Sequence, residues 1–387
     1  MMYSLLREKV QNCQKYPKTQ KVARAPLIHE GYPGQFNLSF SEYHWLQEYG
    51  NYVNFNHDHC ISTIQSCIRL TDFPSIHREE GYWYLGVFEL ADVYGALSFA
   101  RKVDYGLVYR EQIRSFIDFL MQNSIPKESL YVSYCTGGSV AMLTKGKYSF
   151  NFVVPEDDFS KQAFLEEGIL EENLIPDASR DTFLALHLYR PTLWGYRNEI
   201  FFNRGTKKHQ KLLEIGTVEK LFWKPVYNGD TSDAKNIIRI EESANSSFFV
   251  TGIGLERLCM VTNNLERVHD IDYIKSFYDL IYTQTRRNNF LFGESLRALH
   301  RIYADILKFN ISNLSKQRRY KINRLVRNVL ESKFDQSKIQ DLLKIHTITQ
   351  PWHPELEEGI ELTLRKINEY QNNSSSLQNS LENERRR

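Results

Sequence analysis

The chain has 387 residues, 42% hydrophobic and 25% charged, with 23 Tyr and 23 Phe, which excludes disorder over most of its length. Its formal net charge is only +2, so no global attraction to polyanions follows. No apolar run is long enough to span a membrane, and the charged first twenty residues carry no secretory signal. The five cysteines are scattered and lack CxxC spacing, which points to reduced thiols in a cytoplasmic protein with no structural zinc.

In chain order, residues 1–265 read as mixed α and β, 266–370 as helices and 371–387 as a disordered polar tail. His59 to Leu70 contains a period-two stretch, with Ser66, Ile68 and Leu70 on one face and Gln65, Cys67 and Arg69 on the other. TDFPSIHREEG then reads as a hairpin loop, and Tyr82 to Phe88 as a second strand. Further strands are expected at Leu130 to Tyr134, Tyr148 to Val154, Glu199 to Phe202 and Ser247 to Val250. Helices are expected at Val103 to Gln122, Ser160 to Glu167 and Leu255 to Thr262. Strands and helices without tidy βαβ alternation predict an α+β class built on an antiparallel sheet, followed by an all-α region.

Residues 291–340 carry 11 Lys and Arg against 4 Asp and Glu, so the basic charge is local. Within them, Ile322, Leu325, Val326, Val329 and Leu330 fall at amphipathic-helix spacing. Lys321, Arg324 and Arg327 lie largely to one side of that stripe, as a solvated face or as a surface for phosphates.

The segment VTGIGLERLCM (250–260) carries the chemistry: a β-rich run, a Gly-x-Gly turn, then a helix bearing Glu256 and Arg257. Glycines let backbone approach a ligand, and a helix start with an Arg one turn in suits a phosphate. Arg69, a loop, and Arg78 four residues before Tyr82 could clamp a nucleotide, with the ring stacking on the base. Taken singly, Tyr82 reads rather as core packing and Arg69 as half of a surface ion pair; only together do the three elements point to a nucleotide.

These motifs resemble motifs 2 and 3 of class II aminoacyl-tRNA synthetases, and most closely the alanyl-tRNA synthetase family. TIQSCIRL (63–70) looks like that family's SQKCIRA, NEIFFNRG (198–205) like SEIFYDRG, and FVTGIGLERL (249–258) like VDTGMGLERI. LSKQRRYKINRLVRNVL (314–330) aligns without gaps to SNEGRGYVLRRIIRRAL, keeping Arg318, Tyr320, Arg324 and Arg327. The resemblance covers roughly residues 1–335. It implies a catalytic domain (1–265), a helical domain (266–370) that docks a tRNA acceptor stem, and no editing domain. It also implies ATP and Mg²⁺, a small amino or carboxylic acid as substrate, and a two-step reaction through an acyl-adenylate. By the same resemblance Arg69 holds the α-phosphate and carboxylate, and Arg257 the outer phosphates. Arg78, Tyr82, Gly252, Gly254 and Glu256 complete the ATP site, and Arg318, Tyr320, Arg324 and Arg327 meet tRNA.

The chain departs from the family where the acid is held. The Asp that binds the substrate ammonium is replaced by Val250, and Glu219 stands near the family's methyl-pocket position. Glu219 and Val250 are therefore the expected substrate-pocket residues: either Glu219 takes over the ammonium from another direction, or the substrate differs from alanine, while Glu219 taken alone reads as an exposed strand carboxylate. The loop before NEIF has become LYRPTLWGYR (188–197), the pocket Trp corresponds to Leu184, the motif 2 carboxylate to Trp83, and the acceptor-stem Asn to Ser315. Three functions stay open: an alanyl-tRNA synthetase-like ligase, a ligase with a non-tRNA acceptor, and a catalytically silent binding paralogue. Whether the chain forms a homodimer is also open, because motif 1 is not located.

Overall fold

The computed structural model describes residues 2–13, 19–29, 34–37, 43–44, 49–50, 54–55, 57–76, 82–98, 104–139, 153–179, 181–185, 191–244, 246–287 and 289–385. The chain divides into two compact units. The first comprises Met1–Ala25, Ser39–Gln65 and Glu89–Asn264, and the second Pro26–Leu38, Ser66–Phe88 and Leu265–Arg387.

The strands are β1 (Gln20–Lys21), β2 (His59–Ile68), β3 (Val87–Ser98), β4 (Leu130–Cys135), β5 (Gly138–Ser139) and β6 (Val153–Val154). They continue with β7 (Leu174–Asp177), β8 (Phe183–Ala185), β9 (Trp194–Asn203), β10 (Leu212–Tyr227), β11 (Ile237–Glu242) and β12 (Ser246–Gly254). The main sheet runs β1-β2-β3-β12-β10-β9-β4-β7, with β11 added to β10 and β8 to β9. Its β3–β12, β12–β10, β10–β9, β9–β4, β10–β11 and β9–β8 pairs are antiparallel, whereas β1–β2 and β4–β7 are parallel. An antiparallel-dominated sheet with an all-helical C-terminal region is the α+β class expected.

One face of this sheet carries α2 (Tyr105–Gln122), after α1 (Tyr3–Cys13) in chain order. Asp104 caps α2 by accepting from Leu107 N–H at 3.1 Å. Its buried stripe of Tyr109, Ile113, Phe116, Ile117 and Leu120 has the 3.6-residue period, and each such side chain contributes roughly 1.5–3 kcal/mol on burial. Glycine 216 is what lets α2 settle: a Cβ on Gly216 would stand 2.8 Å from the Phe116 ring.

The second unit holds α5 (Asp272–Thr285), α6 (Phe290–Lys308), α7 (Lys316–Glu331), α8 (Gln336–Ile348) and α9 (Glu355–Arg385), following α3 (Asp158–Glu166) and α4 (Leu255–Thr262) of the first. Helix α6 is buried from Phe292 to Asp305, so its polar side chains must find partners inside. They do so by tying distant stretches of the unit together. Glu294 accepts from Gly86 and Val87 N–H at 2.9 and 3.0 Å and from the Tyr278 hydroxyl at 2.6 Å, and it also pairs with Arg297. Asp305 accepts from Leu27 N–H at 2.7 Å.

Several expected elements differ. Strand β3 starts at Val87 rather than Tyr82, because Glu294 occupies the amides of Gly86 and Val87, and Phe73 fills the space above Gly86. Strand β2 is buried on both faces from Cys60 onward, so its alternation does not divide core from solvent, and Arg69 lies just beyond its end. Strand β9 begins at Trp194, inside the segment read as a loop, and β10 was not expected as a strand of sixteen residues. Of the expected strand at 148–154, residues 148–152 lie outside the described residues. The backbone of 371–385 is helical instead of a frayed tail: after Gly359 no Gly or Pro interrupts α9.

Among the described residues no helix is long and apolar enough to cross a membrane, and no group of three or more His, Cys, Asp or Glu could hold a metal ion. Cys60, Cys67, Cys135 and Cys259 are buried and form no disulfide among the described residues.

Candidate active site

Cross-strand partners share a face of a sheet, so register places the functional side chains of the first unit. One row across β9, β10, β12 and β3 reads Glu199, Thr217, Gly252, Asp92; the next reads Arg197, Glu219, Val250, Tyr94. Both lie on the face opposite α2, whose Gln112 donates to Thr251 Oγ1 and whose Tyr109 donates to Asn198, residues of the alternate row. The structure thus makes Glu219 and Val250 direct partners. Val250 packs with Phe55, Ile61, Tyr94, Leu221 and Phe248 in an apolar cluster. Glu219 is not an exposed strand carboxylate: it is 3% exposed.

The polar part of this face is charged and incompletely paired. Arg197 Nε donates to Glu219 Oε1 at 2.8 Å, while Glu219 Oε2 has no hydrogen-bond partner among the described residues. Asp92 is 2% exposed, and its Oδ2 also lacks a partner among them. Burial, with the Glu219 charge added, pushes the Asp92 carboxyl well above the usual carboxylate range. Gly252 keeps the floor low: a Cβ there would be 3.2 Å from both Asp92 Oδ1 and Thr217 Oγ1. Sequence reading missed Asp92, Arg197 and Glu199. The available signal for Asp92 was an acidic residue inside the apolar run VFELADVYGAL.

Glu199 is pushed up to about 7, first by burial and then by the Glu214 charge, against the opposing pull of Arg197. A carboxyl raised in this way keeps its proton longer folded than unfolded, so stability falls as pH rises from about 4.5 to 7. Glu199→Gln removes this penalty. The variant is expected to be more stable than the parent at pH 8 by on the order of 1 kcal/mol, with the gain vanishing at pH 4.5. Urea denaturation at the two pH values checks it, and an equal effect at both would exclude Glu199 as the titrating group.

Strand β12 runs into α4 through Gly254, the expected strand–turn–helix junction. A Cβ at Gly254 would meet nothing within 4 Å, so the space beside this turn is open. Glu256 turns inward, with both carboxylate oxygens accepting from Glu89 N–H and Oε1 also accepting from the Tyr3 hydroxyl at 2.9 Å. It orders the turn rather than facing that space. Arg257 points the other way, 21% exposed, and donates to Glu214 Oε2 at 2.9 Å and to the Glu214 carbonyl at 3.2 Å.

Arg69, Tyr82 and the basic residues belong to the second unit. Arg69 stacks over Phe88 at 5.2 Å and lies 3.8 Å from Asp72. It lines a pocket of about 600 Å³ with Phe36, Phe73, Tyr320, Lys321 and Arg324, and among the described residues no acidic side chain lines that pocket. Tyr82 is half-buried and has the Arg267 guanidinium over its ring at 4.7 Å. Arg78 lies outside the described residues. Arg324 and Arg327 are exposed on α7, whereas Arg318 is buried and donates to the carbonyls of Gln35 and His29 at 3.0 and 2.7 Å. Arg318 therefore clips its helix to the 26–38 segment instead of presenting a cation.

No model of a known protein family matches the sequence, and no curated protein does. The fold is similar to solved aminoacyl-tRNA synthetases. A histidyl-tRNA synthetase of S. aureus shares 10% identity at a TM-score of 0.37, over 84% of this chain and 85% of that one. A pyrrolysyl-tRNA synthetase of Desulfitobacterium hafniense shares 11% at 0.33, over 70% and 72%. An aspartyl-tRNA synthetase of Entamoeba histolytica shares 14% at 0.37, over 70% and 56%.

Proposed function

We propose that the chain activates a small amino acid with ATP as an acyl-adenylate and passes the acyl group to tRNA, as an alanyl-tRNA synthetase-like ligase. One observation supports this reading: two buried carboxylates, each with an oxygen that lacks a partner among the described residues, and a neighbouring guanidinium flank a glycine on β12, the strand that ends in the GIGLER turn. In the reaction, a carboxylate oxygen of the acid bonds to the α-phosphorus of ATP and pyrophosphate leaves. Such chemistry needs positioning and cations more than acid–base groups. Asp92, Glu219 and Arg197 orient the acid. Gly254 leaves open space at the turn, and Arg257, on the first turn of α4, offers a guanidinium to phosphate oxygens; these residues fit a triphosphate. Mg²⁺ bound with ATP would neutralise the departing pyrophosphate. The α-phosphate role of Arg69 rests on the sequence resemblance alone. The test is ATP–pyrophosphate exchange across a panel of small amino and carboxylic acids, and no exchange with any of them despite ATP binding would remove the reading.

Arg324 and Arg327 are the cations we assign to a tRNA backbone. Replacing both with Ala is expected to spare exchange and to reduce by about 1.5 the slope of log affinity for tRNA against log salt. Filter binding between about 50 and 200 mM salt measures the slope, and an unchanged value contradicts the assignment.

A second reading, transfer to an acceptor other than tRNA, is favoured by Ser315. Its hydroxyl caps α7 by accepting from Arg318 N–H at 3.2 Å, so it is engaged within its own helix where the family places an Asn that reads the acceptor stem. Transfer of labelled acyl group to tRNA, scored against amines and carrier proteins, separates the two.

A further inference from the structure

We infer that the outer edge of β11 is an interface for a second copy of this chain, the two strands pairing antiparallel about a two-fold axis at Ile240. Strand β11 joins the main sheet through β10, and among the described residues no strand pairs with its far edge. Such an edge offers a row of amides and carbonyls to another chain. Its residues from Ile238 to Glu242 are exposed or half-buried, Ile238 among them at 53%.

Hydrogen-bond phase limits the register. Ser243 N–H donates to the Phe222 carbonyl at 2.7 Å, and the ladder then pairs Trp223 with Glu242, Lys224 with Glu241, Pro225 with Ile240 and Val226 with Arg239. Bonded and non-bonded pairs alternate along an antiparallel ladder, so Arg239 and Glu241 turn their backbone groups to β10, whereas Ile240 and Glu242 turn theirs outward. Pro225, which has no N–H to donate, falls at a non-bonded position, as this phase requires. A second strand must therefore meet Ile240 and Glu242 at bonded positions, and registers offset by one residue are excluded.

Charge selects among the registers that remain. Arg239 and Glu241 share one face, 3.2 Å apart, with Lys224 beside Glu241 on β10. Centring on Ile240 sets Arg239 of each copy opposite Glu241 of the other, at non-bonded positions where the two Cα atoms come within about 4.5 Å. Centring on Glu242 would oppose that carboxylate to itself. Centring on Ile238 would put at the axis the residue that breaks the ladder, since Val226 pairs with Arg239 and Tyr227 with Ile237. Edge charges ordinarily guard against pairing; here their mixed sign favours one self-complementary arrangement. So short an edge makes a weak association, of the class that buries less than about 1,200 Å².

Sedimentation equilibrium of the full chain, from micromolar to near-millimolar concentration at low salt, tests the interface. The expected result is a reversible monomer–dimer equilibrium that weakens as salt screens the exposed pairs. Arg239→Glu and Glu241→Arg should each weaken the dimer at least tenfold, and the double variant should restore it. Mixing the two single variants should give a heterodimer at least tenfold tighter than either homodimer, because every facing pair is then of opposite sign. Local misfolding cannot produce that result. A chain that stays monomeric throughout, a dimer that both single variants leave within threefold of the parent, or single variants that fail to combine overturns the inference.

Discussion

Arg257→Ala is expected to slow ATP–pyrophosphate exchange by about 10²- to 10³-fold, the loss typical when one preorganised group facing transition-state charge is removed. The guanidinium is held on the first turn of α4 by Glu214, so it is positioned before any phosphate arrives. Its ion pair is partly exposed and is worth on the order of 1 kcal/mol or less to the fold, so the melting temperature should hardly move. Arg257→Lys should recover only part of the rate, because an ammonium lacks the planar fork that bridges two oxygens. Exchange kinetics beside a thermal melt test both statements. Near-parental exchange in the alanine variant would remove Arg257 from the reaction.

Glu294→Ala is expected to be the most damaging single change to the second unit. It leaves the Arg297 guanidinium, 1% exposed, without its counter-charge. It also strands the amides of Gly86 and Val87 and the hydroxyl of Tyr278. Breaking a buried pair from one side costs about 3–5 kcal/mol. Replacing both charges, as Glu294→Leu with Arg297→Met, should cost less than the single change, because no bare cation remains inside. Urea denaturation of the three proteins orders them. A single variant within about 1 kcal/mol of the parent would mean that water or another group reaches Arg297.

The sequence exposed features whose physics is local. The GIGLER junction falls at a strand end and a helix start, and the apolar stripe of α7 is buried as its spacing requires, with Ile322, Leu325, Val326 and Val329 inside. Features that depend on partners far along the chain were hidden. Strand β10 reads poorly because Glu219 and Lys220 put charge on both faces. Arg197 from β9 compensates the first, while the rings of Tyr109, Phe159 and Phe222 surround the second. Asp92 gave little warning because its importance lies in what it lacks, a partner. Arg318 misled in the opposite sense: a basic residue in a basic stretch suggests phosphate, yet backbone carbonyls at 29 and 35 take its hydrogen bonds. Glu256 likewise is occupied by Tyr3 and by the Glu89 amide, neither of them near it in sequence.

The second unit gathers three separate stretches, Pro26–Leu38, Ser66–Phe88 and Leu265–Arg387, and α6 supplies the buried acids that hold the earlier two. During synthesis, those early segments leave the ribosome long before Glu294 and Asp305 exist to receive them. The nascent chain must carry them unsatisfied across more than two hundred residues, so assembly of this unit waits until α6 has been made. A fragment cut near residue 265 would inherit the amides of Leu27, Gly86 and Val87 with no acceptor, and should bind chaperones rather than stand as an independent enzyme.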